Sequence, residues 1–204
     1  MKFSMVKRLN EIPPNCRVGR FTWSDTVHDV FMFRRLNLVL IRTAFRLGEI
    51  VRHASGEIMY LTFESLTWFI GGVVLTHPTP AQLASMRPGY DGARLAPPRS
   101  KPDQWGEVHC PFPVVLTYFD DDLNPAKALR DIELAVGVNV SNRSSFPLFS
   151  DAAGQPYTHG FLDGMLKAAL EFTYGKAVAQ VFSFHSYRSG LATRLCTQLA
   201  SRIA

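Results

Sequence analysis

From Asp25 to about His53 the chain returns an apolar residue to one side of a helix again and again, and no other stretch restricts the fold as much. Val27, Val30, Phe31 and Phe33 lead, followed by Leu36, Leu38, Leu40, Ile41, Ala44, Phe45, Leu47 and Ile50. Recurrence at three and four residues is helical spacing. The run predicts two helices or one long kinked one, with Ser24-Asp25 as the N-terminal cap. A helix that apolar must be buried against something. The 204 residues, 47% hydrophobic and 19% charged, can supply one good core, or one domain plus a fragment of a second.

A strand-rich middle is expected next. Tyr60–Phe63 and Leu66–Ile70 read as strands, Gly71-Gly72 as the two-residue turn of a hairpin, and Val73–Thr76 as its return. Residues 77–104, rich in Pro, Gly and Arg, predict an extended loop, and the proline-interrupted Val108–Leu116 predicts an edge or exit strand. Asn124 should cap a helix with Pro125 at its first position, running to Val136. Residues 137–157 predict a loop, and Phe161–Tyr174 a helix ending at Gly175. A last helix should start at Ser183, with Tyr187, Leu191, Leu195, Leu199 and Ile203 forming an apolar stripe. Residues 1–23, broken by Pro13, Pro14 and Gly19, fit no packed element and read as a linker or tail. The expected fold class is α+β: mainly helical, with a small antiparallel sheet.

The first 50 residues carry nine Lys/Arg against four Asp/Glu, and the rest carry thirteen of each, so the net charge of +5 lies in the first quarter. A basic segment on a balanced domain suits a polyanion, though the same charge also serves solubility. Three widely spaced cysteines (Cys16, Cys110, Cys196) argue for a reducing, intracellular setting. MKFSMVKRLNEIPP lacks the apolar segment of a secretory leader, and LTWFIGGVVL at 66–75 is too short to span a bilayer. Hence no membrane association is expected. His28, His53, His77, His109, His159 and His185 show no ligand spacing with the cysteines, so neither a metal nor another cofactor is expected. Asp120, Asp121 and Asp122 read as a solvated loop before the Asn124 cap.

Three motifs carry candidate chemistry. TAFRLGEIV (43–51) puts Arg46 and Glu49 three apart in the apolar run, where Glu49 can lie beside Arg46; the alternative is an arginine snorkelling to the surface. PPRSKPDQWGEVHCPFP (97–113) puts Lys101 on a loop between extended segments. FSFHSYRSGLATRLC (182–196) puts His185 and Arg188 at the start of a helix, next to its free N–H groups, where a phosphate is readily bound. There is no G-x-S-x-G or G-x-x-x-x-G-K-[ST] motif, and Ser183 and Ser186 do not make a triad with His185.

Taken in order, an arginine followed by Glu, a lysine, then H-x-x-R, the chain resembles the tyrosine recombinase (phage integrase) family over roughly residues 25–204. The resemblance implies a catalytic domain from residue 24 onward that binds double-stranded DNA. It also implies site-specific recombination or integration for a mobile element, by strand breakage through a 3′-phosphotyrosine. Arg46 and Arg188 would grip the non-bridging phosphate oxygens, a task suited to planar, bidentate guanidinium donors. Lys101 would donate a proton to the leaving 5′-oxygen, His185 would assist proton transfer and Glu49 would hold Arg46. Family members act as tetramers on DNA, in the nucleus or nucleoid according to host. The family's nucleophilic tyrosine follows the H-x-x-R helix, yet no tyrosine follows Tyr187 in these residues, and Tyr187 reads as core. The expectation is therefore an incomplete catalytic domain that cannot cut DNA alone, with a non-catalytic DNA-binding remnant as the alternative.

Overall fold

The structure is a computed structural model that describes residues 3–43, 45–51, 60–96 and 113–187. It mixes helices with small antiparallel sheets. Two compact units divide the chain, one made of Met1–Leu47 with Thr158–Ala204, the other of Gly48–Tyr157.

The first unit begins where no packed element was expected. Helix α1 (Phe3–Asn10) buries Val6 and Leu9, and strands β1 (Cys16–Val18) and β2 (Phe21–Trp23) pair antiparallel, with Val18 and Trp23 buried. The reading of residues 1–23 as unpacked is corrected: Pro13-Pro14 separates the helix from the hairpin, and Gly19 makes the hairpin's turn. Helix α2 (His28–Thr43) follows and buries Val30, Met32, Phe33, Leu36 and every residue from Asn37 to Ile41. Trp23 meets Phe33 edge to face at 5.8 Å. Ser24 does not cap this helix. Its Oγ accepts the Thr26 N–H, and Val27 supplies the carbonyl that takes the first helical bond, from Phe31.

α2 stops at Thr43, and the described part of the apolar run beyond it forms a 3-10 turn at Leu47–Glu49 in place of a second helix or a kinked continuation. The Thr43 hydroxyl donates to the Val39 carbonyl at 3.0 Å and accepts the Phe45 N–H at 3.4 Å. A side chain that offers the backbone an alternative partner weakens the helical ladder at that point. The unit is completed by α5 (His159–Tyr174) and α6 (Lys176–Val181), which meet at Gly175. Thr158 caps α5 by accepting the Phe161 N–H, and Leu162, Met165, Leu166, Ala169 and Leu170 form its buried stripe.

The second unit holds a four-stranded antiparallel sheet in the order β4-β3-β5-β6, made of β3 (Leu66–Ile70), β4 (Val73–Leu75), β5 (Gly92–Leu95) and β6 (Val114–Thr117). Gly71 and Gly72 turn the expected hairpin with φ of +59° and +81°. Both central residues of that turn type need the left-handed region, which glycine enters without strain. The register Trp68↔Ala93↔Leu116 runs a row of buried side chains across the sheet. Helix α4 (Pro125–Val136), with Ala126, Leu129 and Ile132 buried, covers β5 and β6. Burying a residue the size of Leu129 stabilises by about 1.5–3 kcal/mol. Asn124 caps α4 as expected, accepting the Lys127 N–H at 2.9 Å, and Gly137 ends it at φ +59°.

Two parts of the loop expected at 77–104 are ordered elements instead. Thr79 and Gln82 form a capping box for the short helix α3 (Pro80–Ala84), and Gly92–Leu95 is a central strand. The expected strand at 60–63 is reduced to one bridge, Thr62 to Pro147, followed by a 3-10 turn. β6 does lie at the sheet edge; residues 108–112 of that expectation are outside the described set. No helix among the described residues is long and apolar enough to cross a membrane.

Candidate nucleic-acid interface

Arg46 stands on the exit from α2, exposed, between the helix end and a 3-10 turn at Leu47–Glu49. The α-helical placement expected for Arg46 and Glu49 is corrected. Arg46 belongs to the first unit and Glu49 to the second. The Glu49 carbonyl accepts the Leu61 N–H at 2.8 Å. The arginine thus stands just before a 3-10 turn, and no long apolar helix has to carry it.

His185 opens a helical turn that the structure describes through Tyr187, and its ring is exposed. The turn is closed locally: the Ser186 N–H reaches the Ser183 carbonyl at 2.9 Å, and the Ser186 hydroxyl accepts the Ser183 N–H at 3.1 Å. Ser186 therefore helps to shape this turn. Tyr187 is 0% exposed, as its place on the apolar stripe predicts. Its ring stacks on Phe184 at 5.7 Å, and its hydroxyl donates to Oδ1 of Asn37 in α2. Burial pushes the Tyr187 phenol far above its ordinary value, so it stays protonated and keeps that donor.

Asn37 is itself buried and fully oriented. Its Nδ2 donates to the Phe33 carbonyl one turn back at 2.8 Å, which leaves Oδ1 aimed at Tyr187. A second brace comes from α5, where Lys167 Nζ donates to the carbonyls of Ala179 (2.7 Å) and Phe182 (2.9 Å). The start of the H-x-x-R segment is therefore held from α2 and from α5. Sequence reasoning missed both braces. The signal available was a lone asparagine inside the apolar run LNLVLI.

Lys101 and Arg188 lie outside the described residues. Lys101 falls in the chain between β5 and β6, which are hydrogen-bonded antiparallel neighbours. Arg188 directly follows Tyr187.

The other polar centre is structural. Glu133 on α4 pairs with Arg143 through both carboxylate oxygens, and both side chains are buried. Glu133 also accepts the Trp68 indole N–H at 3.2 Å, while Arg143 donates to the Phe63 carbonyl at 3.2 Å. Asp120 and Asp122 both grip Lys127, at 2.8 and 2.9 Å, and the Lys127 hydrogen bond holds the exposed Asp120 carboxyl below its usual range. This acidic loop lies directly before the α4 cap. Among the described residues, no group of three or more His, Cys, Asp or Glu side chains is placed to hold a metal ion.

No family model, curated protein or solved structure matches this chain.

Proposed function

We propose that the chain binds double-stranded DNA and takes part in site-specific recombination or integration for a mobile element. The phosphodiester chemistry is that of a tyrosine recombinase, and the fold is that family's mainly helical catalytic domain. The observation that carries this reading is the buried hydrogen bond from Tyr187 to Asn37. It ties the turn bearing His185, and leading into Arg188, to the same helix whose exit presents Arg46. The H-x-x-R turn is thus supported from within the apolar core by a polar anchor. The antiparallel pairing of the strands on either side of Lys101 adds support, since the family carries its lysine on a β-hairpin.

In this reading Arg46 and Arg188 clamp the non-bridging oxygens of a phosphodiester and stabilise the charge that builds on them during attack. His185 assists proton transfer, and Lys101 protonates the leaving 5′-oxygen. Neither step calls for a metal or another cofactor. Tyr187 is not the nucleophile, because its hydroxyl is buried and committed to Asn37. The 204 residues alone are thus proposed to grip DNA without forming a covalent link to it. The full activity would work as a homotetramer on DNA, inside the cell in the nucleus or nucleoid.

The test is duplex binding followed by fluorescence anisotropy across a salt series. Log affinity should fall linearly with log salt. Arg46→Ala and Arg188→Ala should each weaken binding and cut the slope by about 1. Salt-independent binding, or no binding, overturns the proposal. A covalent protein–DNA adduct formed by these 204 residues overturns the assignment of Tyr187.

A further inference from the structure

The β1–β2 hairpin carries two arginines that the recombination chemistry does not use. Only Gly19 and Arg20 join the strands, with Val18 opposite Phe21. Gly19 has φ +57°, and a Cβ there would meet the Ala168 Cβ at 3.0 Å, so the turn lies close on α5. Arg17 Nε donates to the Gly19 carbonyl at 3.0 Å, which draws its guanidinium toward the tip. The Arg20 guanidinium lies over the Phe21 ring at 5.1 Å and the Phe161 ring at 5.6 Å, and the two rings meet edge to face.

Both arginines are exposed, and neither forms an ion pair with any described residue. Several other described cations are ion-paired. Lys7 holds Glu11, Arg34 and Arg35 hold Asp25, Lys127 holds Asp120 and Asp122, and Arg143 holds Glu133. Asp163, the next acidic residue along α5 from Phe161, is not within ion-pair distance of either hairpin arginine. The two rings steady the Arg20 guanidinium without taking its N–H donors, which remain for acceptors. The Arg17 bond uses Nε and leaves both terminal nitrogens. Two forked donors, steadied by a carbonyl and by aromatic faces and lacking a carboxylate, match the paired oxygens of phosphodiesters.

We propose that the β1–β2 hairpin is a phosphate-contacting ribbon for the backbone of duplex DNA, additional to Arg46, His185 and Arg188. The proposal rests on the DNA reading above. It places part of the positive excess of the first 50 residues, nine basic against four acidic, at one defined surface. Contacts of this kind carry no sequence information and position the protein on its duplex.

The experiment compares the salt slope of duplex binding for the unaltered chain and for Arg17→Ala/Arg20→Ala, using two duplexes of unrelated sequence. The double variant should lose about 2 from the slope, equally on both duplexes. Arg17→Lys/Arg20→Lys should keep most of the slope and still bind more weakly, because the charge is kept and the fork is lost. An unchanged slope in the alanine double variant, with salt-dependent binding by the unaltered chain, sinks the hairpin and leaves the DNA reading standing. If the unaltered chain binds no duplex, both fall. If the double variant also melts early, Arg17→Ala alone decides, since the Arg17 side chain hydrogen-bonds only the Gly19 carbonyl among the described residues. A loss of about 1 from the slope supports the ribbon and no loss overturns it.

Discussion

Each of the two units buries one polar pair beneath apolar side chains, and the two pairs are made of opposite materials. The first unit joins two neutral groups, Asn37 and Tyr187, 150 residues apart in the chain. The second joins two full charges, Glu133 and Arg143, and adds Trp68 and the Phe63 carbonyl as partners. A neutral pair costs little desolvation and is worth little beyond its own hydrogen bond. A buried ion pair gives up hydration on both sides, recovers it only while both members stand, and penalises the loss of one. The second unit should therefore be the more brittle to single substitutions at its polar centre, and the first should be tuned by its pair without depending on it.

The largest effect expected is from Arg143→Met, which leaves the Glu133 carboxylate buried without its cation. A loss of about 3–5 kcal/mol is expected, read by urea unfolding. Adding Glu133→Gln removes the charge and keeps an acceptor for the Trp68 indole. The double variant should then be more stable than Arg143→Met alone. If it is less stable, the charged pair is not the brittle element and the comparison breaks.

Tyr187→Phe should cost less, about 1–2 kcal/mol, because it strands one neutral amide oxygen. It also sharpens the comparison through pH. The folded phenol lies above its ordinary value near 10 because of burial, so the tyrosine's contribution is whole below pH 10 and lost as pH rises beyond it. The alkaline limb of the stability profile should flatten in the phenylalanine variant. An unchanged limb would mean that the hydroxyl is not held as described.

The smallest effect lies at the other end of the pH scale, in the second unit. Burial pushes the Asp91 carboxyl up, but the backbone N–H groups of Arg87 and Gly71 and the Arg87 side chain together hold it below 3.8. Its contribution is then present above the ordinary carboxylate value and is lost as pH falls through the lower folded one. Asp91→Asn should flatten the acid limb while changing neutral stability less than either variant above. A retained acid limb would assign acid sensitivity elsewhere.

Where the sequence was legible, one local signal was enough. Gly71-Gly72 set its hairpin, Asn124-Pro125 its helix, and Gly175 the end of α5. Tyr187 was read as core from its spacing alone. The misses came where similar signals were crowded. Thr79-Pro80 starts α3 much as Asn124-Pro125 starts α4, but the helix is one turn long and sits in a proline-rich stretch. Pro13, Pro14 and Gly19 mark the boundaries of short elements, although as breakers they predict none. β5, sequence GARL, opens on a glycine and carries an exposed arginine, so nothing in its composition announces a central strand. For the candidate site, the residue types and their order were legible. The end of α2 at Thr43, the braces from Asn37 and Lys167, and the Glu133–Arg143 centre were not, because each depends on a partner far away or on a competition between local bonds.

The first unit is assembled from both ends of the chain, and this has a consequence during synthesis. At about 5–20 residues per second, the stretch from Gly48 to Tyr157 keeps the ribosome busy for roughly 5–20 s before the first residue of α5 emerges. Throughout that interval Trp23, Phe33, Leu36 and Leu40 wait for the helices that will share their core, while the second unit, continuous in the chain, can already close. Order of manufacture thus lets the second unit close before the first has all of its chain.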